Sequence, residues 1–309
     1  MTEESGIRLE FAQFGHFDSF DVIRSMVSMA SVADADLPAP IATGLKTMYY
    51  VDSDIVRGLT YYYRVRVWRG SESFVSSEFM VLADRDTHWD KVVSLLHFDV
   101  GINDETGLIW QSLGSGAVTA SHAVFGKGMD FSNAKGLIWT GHPSVRPGNG
   151  DYTLECFIKP IKFVQNFVDT VIMSIGNNNT VGTQEIVCGV NPANAKPFFR
   201  VYQDENYYVQ DITSSVALKL NTWTHLAFVR WGNKHFIFVN GVQTAFIESS
   251  SYTLNDIQVE LILAGIISTG SRSDWGRYNG YMDEFRYTKG LARYTSNFVT
   301  PTKPFLEGG

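Results

Sequence analysis

Residues 223–246, WTHLAFVRWGNKHFIFVNGVQTAF, admit few backbone paths. Three runs rich in β-branched and aromatic residues, WTHLAFVR, HFIFV and VQTAF, are separated by WGNK at 231–234 and by Asn240-Gly241. An Asn-Gly pair between apolar runs specifies a type I′ turn, because both central residues must take φ > 0 and these two residues resist that least. The segment therefore reads as a three-stranded antiparallel meander. Trp223 and Trp231 are read with it as core and turn packing residues.

The same short-strand grammar runs through the rest of the chain. Apolar residues are 44% and aromatics 14% of it, with 27 Gly, a mixture suited to short strands and tight turns rather than long helices, so the fold class is all-β. A length of 309 residues is long for one β-sandwich and comfortable for two domains. Strands are expected at IRLEFAQF, FDVIRS, MYYVDSDI, LTYYYRVRVW and FVSSEFMVL; Tyr61, Tyr63, Val65 and Val67 fall on one face, with Tyr62, Arg64 and Arg66 on the other. The charged joint DRDTH at 84–88 has no apolar periodicity and divides the chain into residues 1–84 and 85–309. Beyond it VVSLLHF and LILAGII read as buried strands, LIWQSL as a strand and MDFSNAKGLIWT as a hairpin. In DYTLECFIKP, Tyr152, Leu154, Cys156 and Ile158 alternate with Thr153, Glu155, Phe157 and Lys159. GYMDEFRY is the closing strand, and Tyr294, Phe298 and Phe305 are three aromatic anchors along the Pro-containing tail behind it.

A net charge of −7 with no run of Lys and Arg argues against nucleic-acid partners. No run of about 18 apolar residues encodes a membrane span. The first 30 residues lack the basic start and uninterrupted apolar core of a secretory signal. Cys156 and Cys188, the two cysteines, lack metal or redox spacing; they read as buried thiols, with a bridge open to them if their strands are neighbours.

The run GLTYYYRVRVWRGSESFVSSEF resembles the last two strands of a fibronectin type III domain, and FDVIRS resembles that family's second strand. WDKVVSLLHFD, DYTLECFIK, WTHLAFVR…FVNG and GYMDEFRYTKGLARYTSNFVTPTKPF together resemble the concanavalin A-like, laminin-G-like jelly rolls of bacteriophage tail and structural proteins, the closing strap being the most specific part. The resemblance implies a fibronectin type III-like β-sandwich followed by a jelly-roll β-sandwich. It also implies a virion protein, made in the host cytoplasm.

Jelly rolls of this type often hold Ca²⁺ near the first loop and the last strand, and the resemblance places Asp99, Asp104 and Asp283 as its ligands. The metal-free alternative puts Asp104 in a turn and Asp283 on backbone amides. Glycan binding needs exposed rings with polar neighbours. The loop SRSDWGRYNG offers Trp275 and Tyr278 with Arg272, Asp274 and Asn279, and NYYVQD adds Tyr207 and Tyr208. The alternative is that these rings pack under their own loops or in a subunit interface. Glucanases on the same fold need two carboxylates ~5–10 Å apart. Asp283/Glu284 and Asp204/Glu205 are adjacent, and the alternating pairs Asp34/Asp36 and Asp84/Asp86 lie in loops. His97, His225 and His235 sit in strand runs, without a G-x-S-x-G elbow or H-E-x-x-H helix. The chain is accordingly expected to be a non-enzymatic phage tail or tail-fibre protein that meets host cell-surface glycan or neighbouring virion subunits, as a homo-oligomer. The alternatives are a purely structural tail or capsid decoration protein and a glycan-cleaving enzyme.

Overall fold

A computed structural model describes residues 7–12, 15–52, 54–55, 59–83, 86–113, 122–132, 136–140, 145–163, 169–176, 185–202, 208–248, 252, 254, 260–265 and 276–307. The chain forms two compact units, Met1–Trp89 with Leu306–Gly309, and Asp90–Phe305. Residues 84 and 85, where the sequence places the division, lie outside the described residues.

The first unit contains β1 (Ile7–Glu10), β2 (Ser19–Ser25), β3 (Ala42–Leu45), β4 (Tyr49–Asp52), β5 (Thr60–Arg69), β6 (Glu72–Val75) and β7 (Phe79–Leu82). β1 pairs with β4; β2 lies between β3 and β5, whose other edge carries β6 and β7. The alternation of β5 is realised, with Tyr61, Tyr63 and Val65 buried and the two tyrosines clustered with Ile7, Leu9 and Val22. FVSSEFMVL is broken into two strands because Ser76 takes over the ladder: its Oγ accepts the N–H of Val65 at 2.9 Å and its carbonyl accepts Arg64 Nε at 2.8 Å.

The second unit begins with β8 (Val92–Leu96), β9 (Gln111–Leu113), β10 (Met129–Asp130), β11 (Gly136–Thr140) and β12 (Tyr152–Pro160). There follow β13 (Thr170–Gly176), β14 (Glu185–Asn191), β15 (Lys196–Tyr202), β16 (Tyr208–Thr213) and β17 (Thr224–Trp231). β18 (Lys234–Val239), β19 (Val242–Glu248), β20 (Glu260–Leu263), β21 (Gly276–Arg277) and β22 (Gly280–Lys289) complete it. One sheet runs β10-β22-β12-β17-β18-β19, with β8 also on β22. The other runs β16-β15-β14-β13-β20-β11-β9, with β21 on β13. Their inner faces share one core, and Phe199 of one sheet meets Phe228 of the other at 5.9 Å edge-on. Cys156 and Cys188 lie in that core as free thiols on different sheets.

The meander is β17-β18-β19, and its second turn has φ of +49° at Asn240 and +74° at Gly241, the pair of positive values a type I′ turn requires. The expected hairpin MDFSNAKGLIWT is not one: β10 joins β22 while β11 joins β20 and β9, so this connection crosses between sheets. LIWQSL contributes only its last three residues as strand. GYMDEFRY is more than a closing strand, since β22 has partners along both edges.

The tail decides what the outer face of the first sheet becomes. Ala292, Tyr294 and Phe298 pack on Ala227, Val229, Phe236 and Phe238, and the Tyr294 and Phe298 rings stack at 3.6 Å. Backbone joins the strap to the type I′ turn, with Phe298 N donating to Gly241 O at 2.9 Å. β12 is therefore buried on both faces, and Glu155, expected on its polar side, is inaccessible. At Gly241 a Cβ would stand 2.1 Å from the carbonyl oxygen of Phe298, at a φ that side chains resist. Gly241→Ala is expected to cost about 2 kcal/mol or more in chemical denaturation. Asn240→Gly keeps the turn but removes the side-chain oxygen that accepts His225 N at 2.9 Å, so it should cost about 1 kcal/mol, less than Gly241→Ala.

Candidate functional site

Of the expected glycan loop, Arg272, Asp274 and Trp275 lie outside the described residues, as does Tyr207; Tyr208 begins β16. Tyr278 is not an exposed platform. Its ring is 2% accessible within the core, and its hydroxyl donates to the carbonyl of Tyr281 at 2.9 Å. The short strand β21 draws it inward: Tyr278 N donates to Val171 O at 3.1 Å beside the β21–β13 pairing. Asn279 is half-buried and its carbonyl accepts Ile161 N at 3.0 Å. Trp231, read as a packing residue, is instead 44% exposed at the end of β17.

Asp99, Asp104 and Asp283 form no shared cluster of ligand atoms among the described residues. Asp104 sits in a turn and accepts from Thr106 N and Oγ1, Leu95 N, Ser94 Oγ and Trp110 Nε1, which occupies both carboxylate oxygens. Asp283 and Asp99 instead reach the same segment. Asp283 Oδ2 accepts the N–H groups of Val124 and Phe125 at 2.7 and 2.9 Å, and Asp99 Oδ1 accepts Lys127 N at 2.6 Å. Asp283 Oδ1 is buried without a hydrogen-bond partner. Burial raises the Asp283 pKa to about 7, against the lowering effect of the Phe125 and Val124 amides. Its neighbour Glu284 takes φ of +52°, and its carboxylate bonds His97 Nδ1 at 2.7 Å and Phe305 N at 2.6 Å.

Beneath the strap lies a buried ionic network. Glu155 Oε1 accepts Arg286 Nε and Nη2 at 2.9 and 2.8 Å, and Oε2 meets His225 Nε2 at 3.2 Å and Tyr294 Oη at 2.9 Å. Burial pushes the Glu155 pKa up, but Arg286 and then His225 more than offset it, and it falls to about 2. The histidines expected to be structural are each hydrogen-bonded: His97 to Glu284, His225 to Glu155, and His235 Nε2 to Tyr252 Oη at 2.8 Å. These buried carboxylates are committed to structural partners rather than facing a shared cleft.

On the outer face of the second sheet, Arg200 lies 4.2 Å over the Phe198 ring, is paired with Asp169, and donates from Nε to Asp211 at 3.0 Å. Val171, Val187, Phe198 and Tyr202 form a small apolar cluster on the same sheet. Sequence reasoning missed this group, because Arg200, Asp169 and Asp211 stand on or beside three different strands and share no local motif.

These two sheets define a lectin-like β-sandwich. Residues 132–290, just over half of the chain, match the family described as the concanavalin A-like lectin/glucanases superfamily, and the chain belongs to that family. Among solved structures, domain 4 of the arabinanase AbnA from Geobacillus stearothermophilus, in complex with arabinotriose, aligns with a TM-score of 0.52 at 16% identity. That alignment covers 65% of this chain and 94% of that one. The binding domain of Paraclostridial mosquitocidal protein 1 aligns at 0.51 and 14% identity, covering 66% of this chain and 50% of that one. The binding domain of botulinum neurotoxin serotype D/C aligns at 0.50 and 18%, with coverage of 66% and 50%, so the chain spans about half the length of these toxin structures. At such identities the likeness is one of fold. No curated protein matches this sequence closely enough to count as a relative.

The buried network makes the unit acid-sensitive. Burial, reinforced by the Arg230 charge, lowers the His235 pKa from 6.5 to about 3, so the unfolded chain takes up this proton first and stability is lost as pH falls from about 6.5 towards 3. Glu155 contributes fully above 4.5 and loses that contribution as pH falls towards about 2. Asp283 acts in the opposite sense: burial raises its pKa from 3.8 to about 7, so the folded chain takes up that proton first and stability is gained as pH falls from about 7 towards 3.8. Melting temperature followed by circular dichroism should therefore change little between pH 7 and 4.5 and decline below 4.5. His235→Asn should turn that plateau into a rise as pH falls from 7 to 4.5, because the Asp283 gain is then unopposed, while leaving the decline below 4.5.

Proposed function

We propose that this chain is a non-enzymatic glycan-recognition protein of a bacteriophage tail, in which the second unit contacts host-surface carbohydrate. The observation that carries the reading is the fold shared with nearly the whole of an arabinanase domain that was solved with arabinotriose. The binding domains of two toxins have the same fold, which supports recognition rather than turnover. The phage setting rests on the resemblance of residues 280–305 to virion jelly-roll straps. Under this proposal the first unit is a fibronectin type III-like spacer, and other copies and tail proteins are the remaining partners. No helix among the described residues is long and apolar enough to cross a membrane.

Calcium belongs to the proposal in a reduced form. Asp99 and Asp283 converge on the segment 122–127, and the unpartnered Asp283 Oδ1 is the kind of buried oxygen that a hard cation satisfies. Asp104 is left out, since its oxygens are already occupied. Calcium added after chelation should raise the melting temperature of the wild type and leave Asp283→Asn unchanged; a wild-type temperature indifferent to calcium would remove the ion.

Glycan recognition is tested by binding of the full chain to an array of bacterial and animal surface oligosaccharides, with release of reducing sugar measured in parallel. Binding without release is the expected outcome. No binding to any arrayed glycan or to host cells defeats the proposal, and sustained sugar release replaces it with a hydrolase.

A further inference from the structure

Trp231 ends β17 opposite Lys234, Lys234 faces Glu248 across β18 and β19, and Phe236 faces Phe246. Directly opposed residues share a sheet face, as do residues two apart on one strand. Trp231, Lys234, Phe236, Phe246 and Glu248 therefore lie on the face that the strap covers farther along. The strap rings meet Phe238, with Phe298 at 5.4 Å and Tyr294 at 6.2 Å. Beyond them Trp231 and Phe246 are 44% and 47% exposed, while Phe236 beneath is 3% exposed.

These two rings are displayed on a fixed support. Gly232 N donates to Asp151 Oδ1 at 2.7 Å, and Arg230 donates from Nε to Gly232 O at 3.0 Å and from Nη1 to Gly148 O at 3.3 Å. Arg230 is itself buried over the Tyr252 ring, so the turn carrying Trp231 is fastened from below. Phe246 rests on Phe236 with ring centroids 5.1 Å apart. Polar groups stand around the rings: Lys234 Nζ lies 5.0 Å from the centre of Trp231, and Asn233 Nδ2 donates to Glu248 Oε1 at 3.3 Å.

We propose that this end of the meander is an oligosaccharide-binding platform, in which Trp231 and Phe246 stack on sugar rings and Asn233, Lys234 and Glu248 bond their hydroxyls. It rests on the glycan-recognition reading above and assigns that reading to residues other than 272–279. Strand spacing and rise put the two rings roughly 12 Å apart, a span suited to a chain of several sugars rather than one. Immobile aromatic faces lose little entropy on stacking, and an amide, an ammonium and a carboxylate supply both donors and acceptors for hydroxyls. A protein partner fits less well. Specific protein interfaces bury about 800 Å² per side and deplete charge at their centre, whereas Lys234 and Glu248 stand between these rings.

The test compares wild type with Trp231→Ala, Phe246→Ala and Trp275→Ala as full chains on the oligosaccharide array, with sedimentation run alongside. Removing a stacking ring should weaken binding about tenfold or more in Trp231→Ala and in Phe246→Ala. Phe246→Tyr, which keeps the ring, should bind like wild type and guards against loss of fold in the alanine variant. Wild-type affinity in both alanine variants, with loss in Trp275→Ala, overturns this site and leaves glycan recognition standing. A wild type that binds no glycan removes both. Loss of self-association in Trp231→Ala with unchanged glycan binding also overturns the platform, making it a contact between copies.

Discussion

A carboxylate taken wholly out of water governs the second unit. Glu155 can stay ionised at the centre of the first sheet only because Arg286, His225 and Tyr294 reach it from β22, β17 and the strap. A buried charge robbed of its partner costs several kcal/mol, so these three segments are held in one arrangement together. Phe305 adds an aromatic face to it, its ring lying 4.0 Å from the Arg286 guanidinium, and both side chains are buried. The desolvation cost of such a network offsets much of its Coulombic gain, whereas removing one partner alone is strongly destabilising.

The strap follows from that constraint. It turns a sheet face that would otherwise be solvated into a second apolar layer of Ala227, Val229, Phe236 and Phe238 under Tyr294 and Phe298. The left-handed residue Glu284 serves the same end, since its carboxylate ties His97 to the arriving backbone of Phe305 while Asp283, one residue earlier, holds the 122–127 segment. Two adjacent acids thus do separate structural work. What the strap leaves uncovered is the far end of the meander, where Trp231 and Phe246 stand with charged neighbours. The device that closes the sheet also delimits the surface left for recognition.

Much of this was legible in the chain. The Asn240-Gly241 turn, the three strands around it, the buried side of β5 and the anchoring aromatics of the tail are local properties, fixed by φ preference and side-chain period. Glycan-site residues were harder. Alternation on β12 marks Glu155 as outward but cannot say that a strap about 140 residues later will bury it. Tyr278 carries the composition of a binding loop, yet β21 turns it into the core. Trp231 has the composition of a packing residue, and no element among the described residues covers it.

The sequence by itself determined an all-β chain, the meander and its turn, and a C-terminal strap, because these depend on backbone preference and spacing within a few residues. Only the tertiary structure decided that MDFSNAKGLIWT divides between two sheets, that Asp104 spends its oxygens on its own turn, and which aromatic rings remain open to solvent. Burial is set by what packs on a face from elsewhere in the chain, and no local pattern encodes that neighbour.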